Sequence, residues 1–346
     1  MPENAEILFE KRGEAGVVTL NRPQALNAVT LSMVHALTNA LQSWVNDASV
    51  TRVIVKAEGG KAFSAGGDIR ALWESGKAGR FDEMLTFWRD EYALNSYIKH
   101  YPKPYVSLID GIVMGGGVGV SVHGSHRVAG DRYLFAMPEV GIGFFPDVGA
   151  TFFLPRMPGE TGTYCGLTGD RVKTADAVAT GLATHHVPSS RWIDLFDALC
   201  GSDDVNTTLA RFAQTADGAG PVVTQRKTID TCFAKDSVEE IFDSLDADGS
   251  EFALATAKGI RAKSPTALKI ALRQVRDGAG ASLNECLNIE YRIVSRLIHQ
   301  NDFYEGVRAA IIDKDQMPVW VPETLDSVGD VGAFFASLGD KELGLP

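Results

Sequence analysis

Two carboxylates eight residues apart, Glu139 and Asp147, lie in the run MPEVGIGFFPDVG at 137–149. Their neighbours are apolar or glycine. Such surroundings disfavour the charged form of an acid, raise its pKa and suit it to proton transfer near neutral pH. Taken alone, each acid also fits an ordinary turn: Glu139 a solvated one, Asp147 a turn or helix cap after Pro146. Two glycine segments precede them. The first, FSAGGDI at 63–69, pairs Gly66 with Gly67, so backbone N–H groups can face a ligand with no side chain in the way. The second, DGIVMGGGVG at 110–119, runs a strand into glycines with a helix expected beyond, which leaves free N–H groups where partial positive charge favours an anion. Neither has the spacing of a dinucleotide fingerprint or a Walker loop. A plain strand-to-helix turn and close helix–strand packing would use the same glycines.

The elements that must hold these groups can be read from periodicity. ILFEKR and GVVTL, between Ile7 and Leu20, form an opening hairpin around Gly13–Gly16. Leu26, Val29, Met33, Leu37 and Leu41 have helical spacing, which predicts a helix from Ala25 to Trp44. RVIVKA (52–57) and Tyr105–Ile109 read as strands, with a long amphipathic helix over Phe81–Ile98 between them. A helix is expected to begin at Val120, and short strands at 127–129 and 133–136. Strand, helix and glycine turn alternate in a way that argues for α/β packing with crossover connections. After about residue 190 the strand signals stop. Residues 190–312 read as mainly helical, broken at 218–221, 246–250 and 277–281, with Ser264-Pro265 opening one of the helices. The division expected is a core at 1–195 and a mainly helical region at 196–346.

The bulk numbers set limits. A chain of 346 residues with 45% hydrophobic and 22% charged residues can bury a large core. Its net charge of −11 and the lack of any Lys/Arg run argue against nucleic-acid binding. Cys165, Cys200, Cys232 and Cys286 form no CxxC pair, so zinc and redox motifs are not expected, and scattered cysteines fit a reducing compartment. His123, His126, His185 and His186 lack metal-ligand spacing. No apolar stretch reaches the ~18 residues of a membrane helix, and the first residues show no signal pattern. A cytoplasmic protein is the expectation.

Together with NRPQALNA at 21–28, the glycine segments and the acid-bearing run occur in an order that closely resembles the crotonase (enoyl-CoA hydratase/isomerase) superfamily over residues 7–190. The resemblance implies an α/β spiral of ββα units with a helical C-terminal region. It also implies an oxyanion hole from the N–H groups of Gly67 and Gly116, an acyl-CoA substrate, and backbone contacts to the adenine end from Ala65, Asp68 and Ile69. Arg22, Lys56 and Lys61 are near enough in sequence to be considered for the phosphates.

In crotonase hydratases a second glutamate lies three residues after the middle glycine; here that position is Gly119. MGGGVGVSVHGSHRVAGDRYLFAMPEVGIGFFPDVGATFFLP (114–155) resembles instead the 3-hydroxyisobutyryl-CoA hydrolases, as do EGVRA (305–309), IDKD (312–315) and PVW (318–320). This resemblance implies thioester hydrolysis, in valine degradation, with Glu139 as nucleophile or general base, Asp147 positioning water or the substrate hydroxyl, and Glu91 accepting a hydrogen bond from that hydroxyl. No metal and no separate cofactor are expected. An enoyl-CoA hydratase or isomerase and a non-catalytic acyl-CoA binder are the alternatives. A trimer, a hexamer or a monomer is compatible with the pattern.

Overall fold

A computed structural model describes residues 5–345. It contains ten strands: β1 Ile7–Arg12, β2 Ala15–Leu20, β3 Arg52–Ala57, β4 Ala62–Ser64, β5 Tyr105–Ile109, β6 Ile112–Met114, β7 His126–Ala129, β8 Leu134–Ala136, β9 Val172–Lys173 and β10 His185–His186. One sheet has the order β1-β2-β3-β5-β7-β10 and the other β4-β6-β8-β9. β1 and β2 are the antiparallel hairpin, with Ile7 opposite Leu20, and the strands that follow in this sheet pair in parallel. The pairs β3/β4, β5/β6 and β7/β8 each deliver one strand to each sheet. Helices follow them: Ile69–Lys77 and Phe81–Lys99 after β4, Gly116–Val122 after β6, and the 3-10 turn Glu139–Ile142 after β8. The chain thereby winds as a spiral of ββα units. Among the described residues no strand follows His186, where the helical pattern takes over.

The chain divides into two compact units that alternate along it. The first comprises Met1–Gly67, Asp90–Phe135 and Val172–Gly220; the second comprises Asp68–Arg89, Ala136–Arg171 and Pro221–Pro346. The first unit carries both sheets, apart from Ala136 at the end of β8. β2 is buried along its whole length, as expected for a strand covered on both faces. Val17, Ile54, Val106 and Val128 from the larger sheet pack with Leu195, Leu199, Leu209 and Phe212 from the helices Trp192–Cys200 and Val205–Phe212. The second unit is helical. Pro265–Gly278 starts where Ser264 caps it with Pro at its first position, and Leu283–Leu297 starts in a capping box of Ser282 and Glu285.

Two helix starts differ from the periodicity. The helix expected from Ala25 begins at Leu31, with the Thr30 side chain accepting from the Met33 N–H. Before it, Pro23–Ala25 is a 3-10 turn and Leu26 and Asn27 are left-handed, with φ of 50° and 56°. Asn27 holds this turn: its Oδ1 accepts from the Arg22 N–H at 2.8 Å and its Nδ2 donates to the carbonyls of Glu58 and Ala62, both at 2.9 Å. Tertiary hydrogen bonds override the helical spacing there. Conversely, the helix expected from Val120 already begins at Gly116. Its glycines serve close approach: a Cβ on Gly117 would fall 2.6 Å from the Ser64 carbonyl oxygen.

Candidate active site

In the first unit the two glycine segments meet. β4 and β6 pair in parallel, so the turns that follow them emerge side by side. Gly66 adopts φ 118° and its carbonyl accepts from the Val29 N–H at 2.8 Å, which ties the turn to the segment ahead of the first long helix. Gly115 adopts φ 44° and caps the helix that opens at Gly116. An N–H in the first turn of a helix has no carbonyl of that helix to meet. A Cβ built on Gly116 would lie 3.2 Å from the Gly67 nitrogen and 2.5 Å from Glu91 Oε1. Gly67, Gly116 and the Glu91 carboxylate thus surround one small volume that only a glycine at 116 leaves open. Glu91 is buried on the helix Phe81–Lys99. Ala65, two residues before Gly67, gives its N–H to the Leu26 carbonyl at 3.0 Å. Gly119 sits buried within the short helix and offers no side chain.

Of the three bases considered for phosphates, Arg22 is bound to Glu6 at 2.9 Å and to the Ala28 carbonyl at 2.7 Å. Lys56 pairs with Glu58 at 3.2 Å and lines a first-unit cavity of about 520 Å³ with Arg12, Arg132 and Phe196. Lys61 is exposed.

The second unit holds the acid pair. Glu139 opens a 3-10 turn that Gly143 closes in the left-handed region. Two glycines let this turn pack closely: a Cβ on Gly143 would fall 2.1 Å from the Asp302 carbonyl oxygen, and one on Gly306 would fall 2.3 Å from the Ile142 carbonyl carbon. The EGVRA signature therefore serves packing, with Gly306 admitting the Glu139 turn. Arg308 of that signature binds Glu305, Asp313 and Asp315 at 2.6–2.9 Å. Trp88 stacks on Phe144 with ring centroids 5.5 Å apart and builds an apolar wall behind the turn.

Glu139 is 7% exposed and Asp147 5%. Glu139 Oε2 is buried with no hydrogen-bond partner among the described residues. Burial pushes the Glu139 carboxyl well above the usual range, and the negative charge of Asp147 pushes it further, against a small opposing backbone hydrogen bond. A raised pKa makes the carboxylate a stronger base than an exposed glutamate. Asp68 and Ile69 open this unit, where the Asp68 side chain caps the helix Ile69–Lys77 by accepting from the Ala71 N–H at 3.3 Å.

Comparison with known proteins gives the family. The enoyl-CoA hydratase/isomerase family model matches residues 15–334. The chain belongs to the enoyl-CoA hydratase/isomerase family. This crotonase is 49% identical over 352 residues, 99% of its own length and 92% of the other, to the mitochondrial 3-hydroxyisobutyryl-CoA hydrolase of Danio rerio. Two solved structures share its fold: a carnitinyl-CoA dehydratase from Mycobacterium thermoresistibile (43% identity, 98% of each chain, TM-score 0.93) and an enoyl-CoA hydratase from Rhodobacter sphaeroides 2.4.1 (41% identity, 99% and 100%, TM-score 0.92). The crotonase spiral with a helical C-terminal region is therefore the fold of this chain. The cytoplasmic location expected from composition does not stand: the vertebrate relatives, from Danio rerio to Homo sapiens, are mitochondrial. Location is set by receptor-read signals, which net charge and scattered thiols do not encode.

No helix among the described residues is long and apolar enough to cross a membrane, and no group of three or more His, Cys, Asp or Glu side chains among them could hold a metal. Sequence reasoning missed two residues that build the acid-bearing segment. Gln274 and Glu290 are buried on separate helices, 128 and 141 residues from the backbone groups they bind. Only a capping pattern marks the helix of Glu290, and nothing in the chain links it to residue 149.

Proposed function

We propose that this crotonase hydrolyses a short-chain 3-hydroxyacyl-CoA thioester, 3-hydroxyisobutyryl-CoA foremost, releasing CoA and the free hydroxy acid. The single observation that carries the choice is the inventory of acids. Glu139 is buried, raised in pKa and coupled to Asp147, whereas the position of a hydratase's second glutamate is Gly119, enclosed in a helix. A hydratase needs two carboxyls on one water; a hydrolase needs one base or nucleophile and a hole for the oxyanion. The relatives named hydrolases support the same choice.

In the proposed mechanism the N–H groups of Gly67 and Gly116 receive the thioester oxygen. Fixed donors of this kind contribute about 3–4 kcal/mol each to the transition state. Glu139 either takes a proton from water, whose oxygen then adds to the carbonyl carbon, or adds to that carbon itself. Collapse of the tetrahedral oxyanion breaks the carbon–sulfur bond and the CoA thiolate leaves, to be protonated. In the second route water then cleaves the mixed anhydride and regenerates Glu139. Asp147 orients the water or the substrate hydroxyl, and Glu91 accepts a hydrogen bond from that hydroxyl. Ala65, Asp68 and Ile69 hold the adenine end through backbone groups.

Measuring thiol release and enoyl absorbance on the same protein, with 3-hydroxyisobutyryl-CoA and with crotonyl-CoA, tests this directly. Thiol release from the hydroxyacyl substrate is expected. Fast loss of enoyl absorbance without thiol would instead place the chain among the hydratases. Removing one methyl from the acyl group, as in 3-hydroxypropionyl-CoA, should change specificity by only about 1–3 kcal/mol. Assembly as a trimer or hexamer is a separate proposal, which a monomer mass in sedimentation overturns.

A further inference from the structure

Asp147 lies on a turn that its own sequence does not favour. Val148 adopts φ 54°, where a β-branched residue is strained, and Gly149 adopts φ 88°. Such a backbone persists only where its surroundings impose it. Two buried side chains do so here. Glu290, 0% exposed on the helix Leu283–Leu297, accepts from the Gly149 N–H through Oε2 at 2.8 Å and from the Thr151 N–H through Oε1 at 2.9 Å. Both oxygens are thereby committed to the backbone just beyond Asp147. On the other side of Asp147, the Gln274 side-chain amide donates to the Pro146 carbonyl. Asp147 is therefore bracketed, one residue before and two residues after, by bonds to helices distant in sequence.

Glu290 is an expensive choice for a merely structural clamp. Burial and the charge of Asp147 push its carboxyl up to about 8, and burying an acid opposes folding unless its bonds compensate. A single-oxygen acceptor would hold one N–H without that penalty; a carboxyl group presents two oxygens and so meets both N–H groups with one rigid plane.

We propose that Glu290 is a positioning residue for the reaction, fixing the strained Asp147–Gly149 turn so that the Asp147 carboxylate is held in its working orientation. This rests on the role proposed for Asp147 above. Glu290→Gln keeps the size but presents an NH2 group to one of the two N–H donors, so one bond is lost. Because a misplacement of about 1 Å costs roughly a hundredfold in rate, kcat should fall about tenfold to a hundredfold while KM for the acyl-CoA stays within about threefold, with the protein folded by circular dichroism. Gln274→Met, which loosens the other end of the turn without altering any charge, should lower kcat in the same direction and carries the test if Glu290→Gln does not fold. A folded Glu290→Gln variant with kcat within twofold of wild type overturns the proposal, as does a loss confined to KM. The wild type is assayed first for thiol release and for hydration, so failure of the hydrolase proposal shows there, separately. A crystal structure of Glu290→Gln reads the clamp itself, whatever the reaction: an unmoved turn with Val148 still at positive φ overturns the inference, and a relaxed Val148 supports it.

Discussion

The amide cluster of the first unit and the acid pair of the second are built by opposite means. Around Gly67 and Gly116 the groups proposed for chemistry belong to the main chain, and position 116 carries no side chain of its own: a single added carbon there would meet Glu91 and the Gly67 nitrogen. Around Glu139 and Asp147 the chemistry belongs to side chains, and the main chain is bent to present them, with Gly143 and Gly149 in the left-handed region and Val148 forced there. Fixed amide dipoles have no protonation state to lose, so the amides of the first region should respond to shape and not to pH. The second should respond to charge and tolerate isosteric change in its fold. Substitutions that cross these categories are the sharpest way to break the contrast.

The largest effect is expected at Glu139. Glu139→Gln should lower kcat by about a thousandfold, within the usual 10²–10⁴ range for general acid–base groups, while CoA affinity stays within about tenfold, ~1.4 kcal/mol. Unchanged thiol release in that variant ends the role assigned to Glu139. Asp147→Asn should follow with a large fall in turnover and a retained fold; a wild-type rate would make Asp147 structural.

Next comes Gly116→Val, which acts through shape alone. It should weaken thioester binding by at least about tenfold, ~1.4 kcal/mol, by the same factor at pH 6 and pH 8. Tight binding to this variant, measured by calorimetry with a non-hydrolysable acyl-CoA, contradicts the oxyanion assignment.

A smaller effect separates the regions through stability. Glu139 and Glu290 have carboxyls raised in the folded state, the latter from 4.5 to about 8. Between those values Glu290 holds a proton that the unfolded chain has lost, so its contribution is fully present below about 4.5 and is lost as pH rises through about 8; Glu139, raised in the same direction, adds a loss of the same sign. Thermal melts of Glu139→Gln should show a shallower decline from pH 5 to pH 8 than the wild type, and a higher Tm at pH 8. Equal slopes would mean that Glu139 ionises normally.

The smallest effect is a control. Gly259 is an exposed glycine within the helix Glu251–Arg261, and nothing lies within 4 Å of a Cβ built on it. Gly259→Ala should stabilise the protein by about 0.5–1 kcal/mol and leave turnover alone, read by denaturant melts. It marks the difference between a glycine that chemistry demands and one that is incidental.

Much of both regions was legible in the chain. Gly66-Gly67 and Gly115-Gly116-Gly117 announce turns without side chains, which the structure uses for positive φ at Gly66 and Gly115 and for close approach at Gly116 and Gly117, and Glu139 and Asp147 stand out as the acids in an apolar run. The alternation of strands and helices implied α/β packing with crossover connections, and the resemblance carried by the motifs implied the spiral. The start of the first long helix departs from its periodicity because Asn27 bonds to Arg22, Glu58 and Ala62, of which two partners lie more than thirty residues away. The helix at Gly116 starts ahead of its periodicity because glycine ordinarily argues against a helix, whereas here Gly117 is required by its contact with Ser64.

Residue type and local order thus determined which groups are available: amides without side chains, two acids in apolar company, and strands that alternate with helices. Only the tertiary structure decided how those groups are conditioned. The burial that raises Glu139, the approach of Glu91 to Gly116 and the grip of Glu290 on the turn beyond Asp147 all join residues far apart in sequence. Desolvation and hydrogen bonding depend on distance in space, and a linear pattern carries that distance only where the partners are neighbours along the chain.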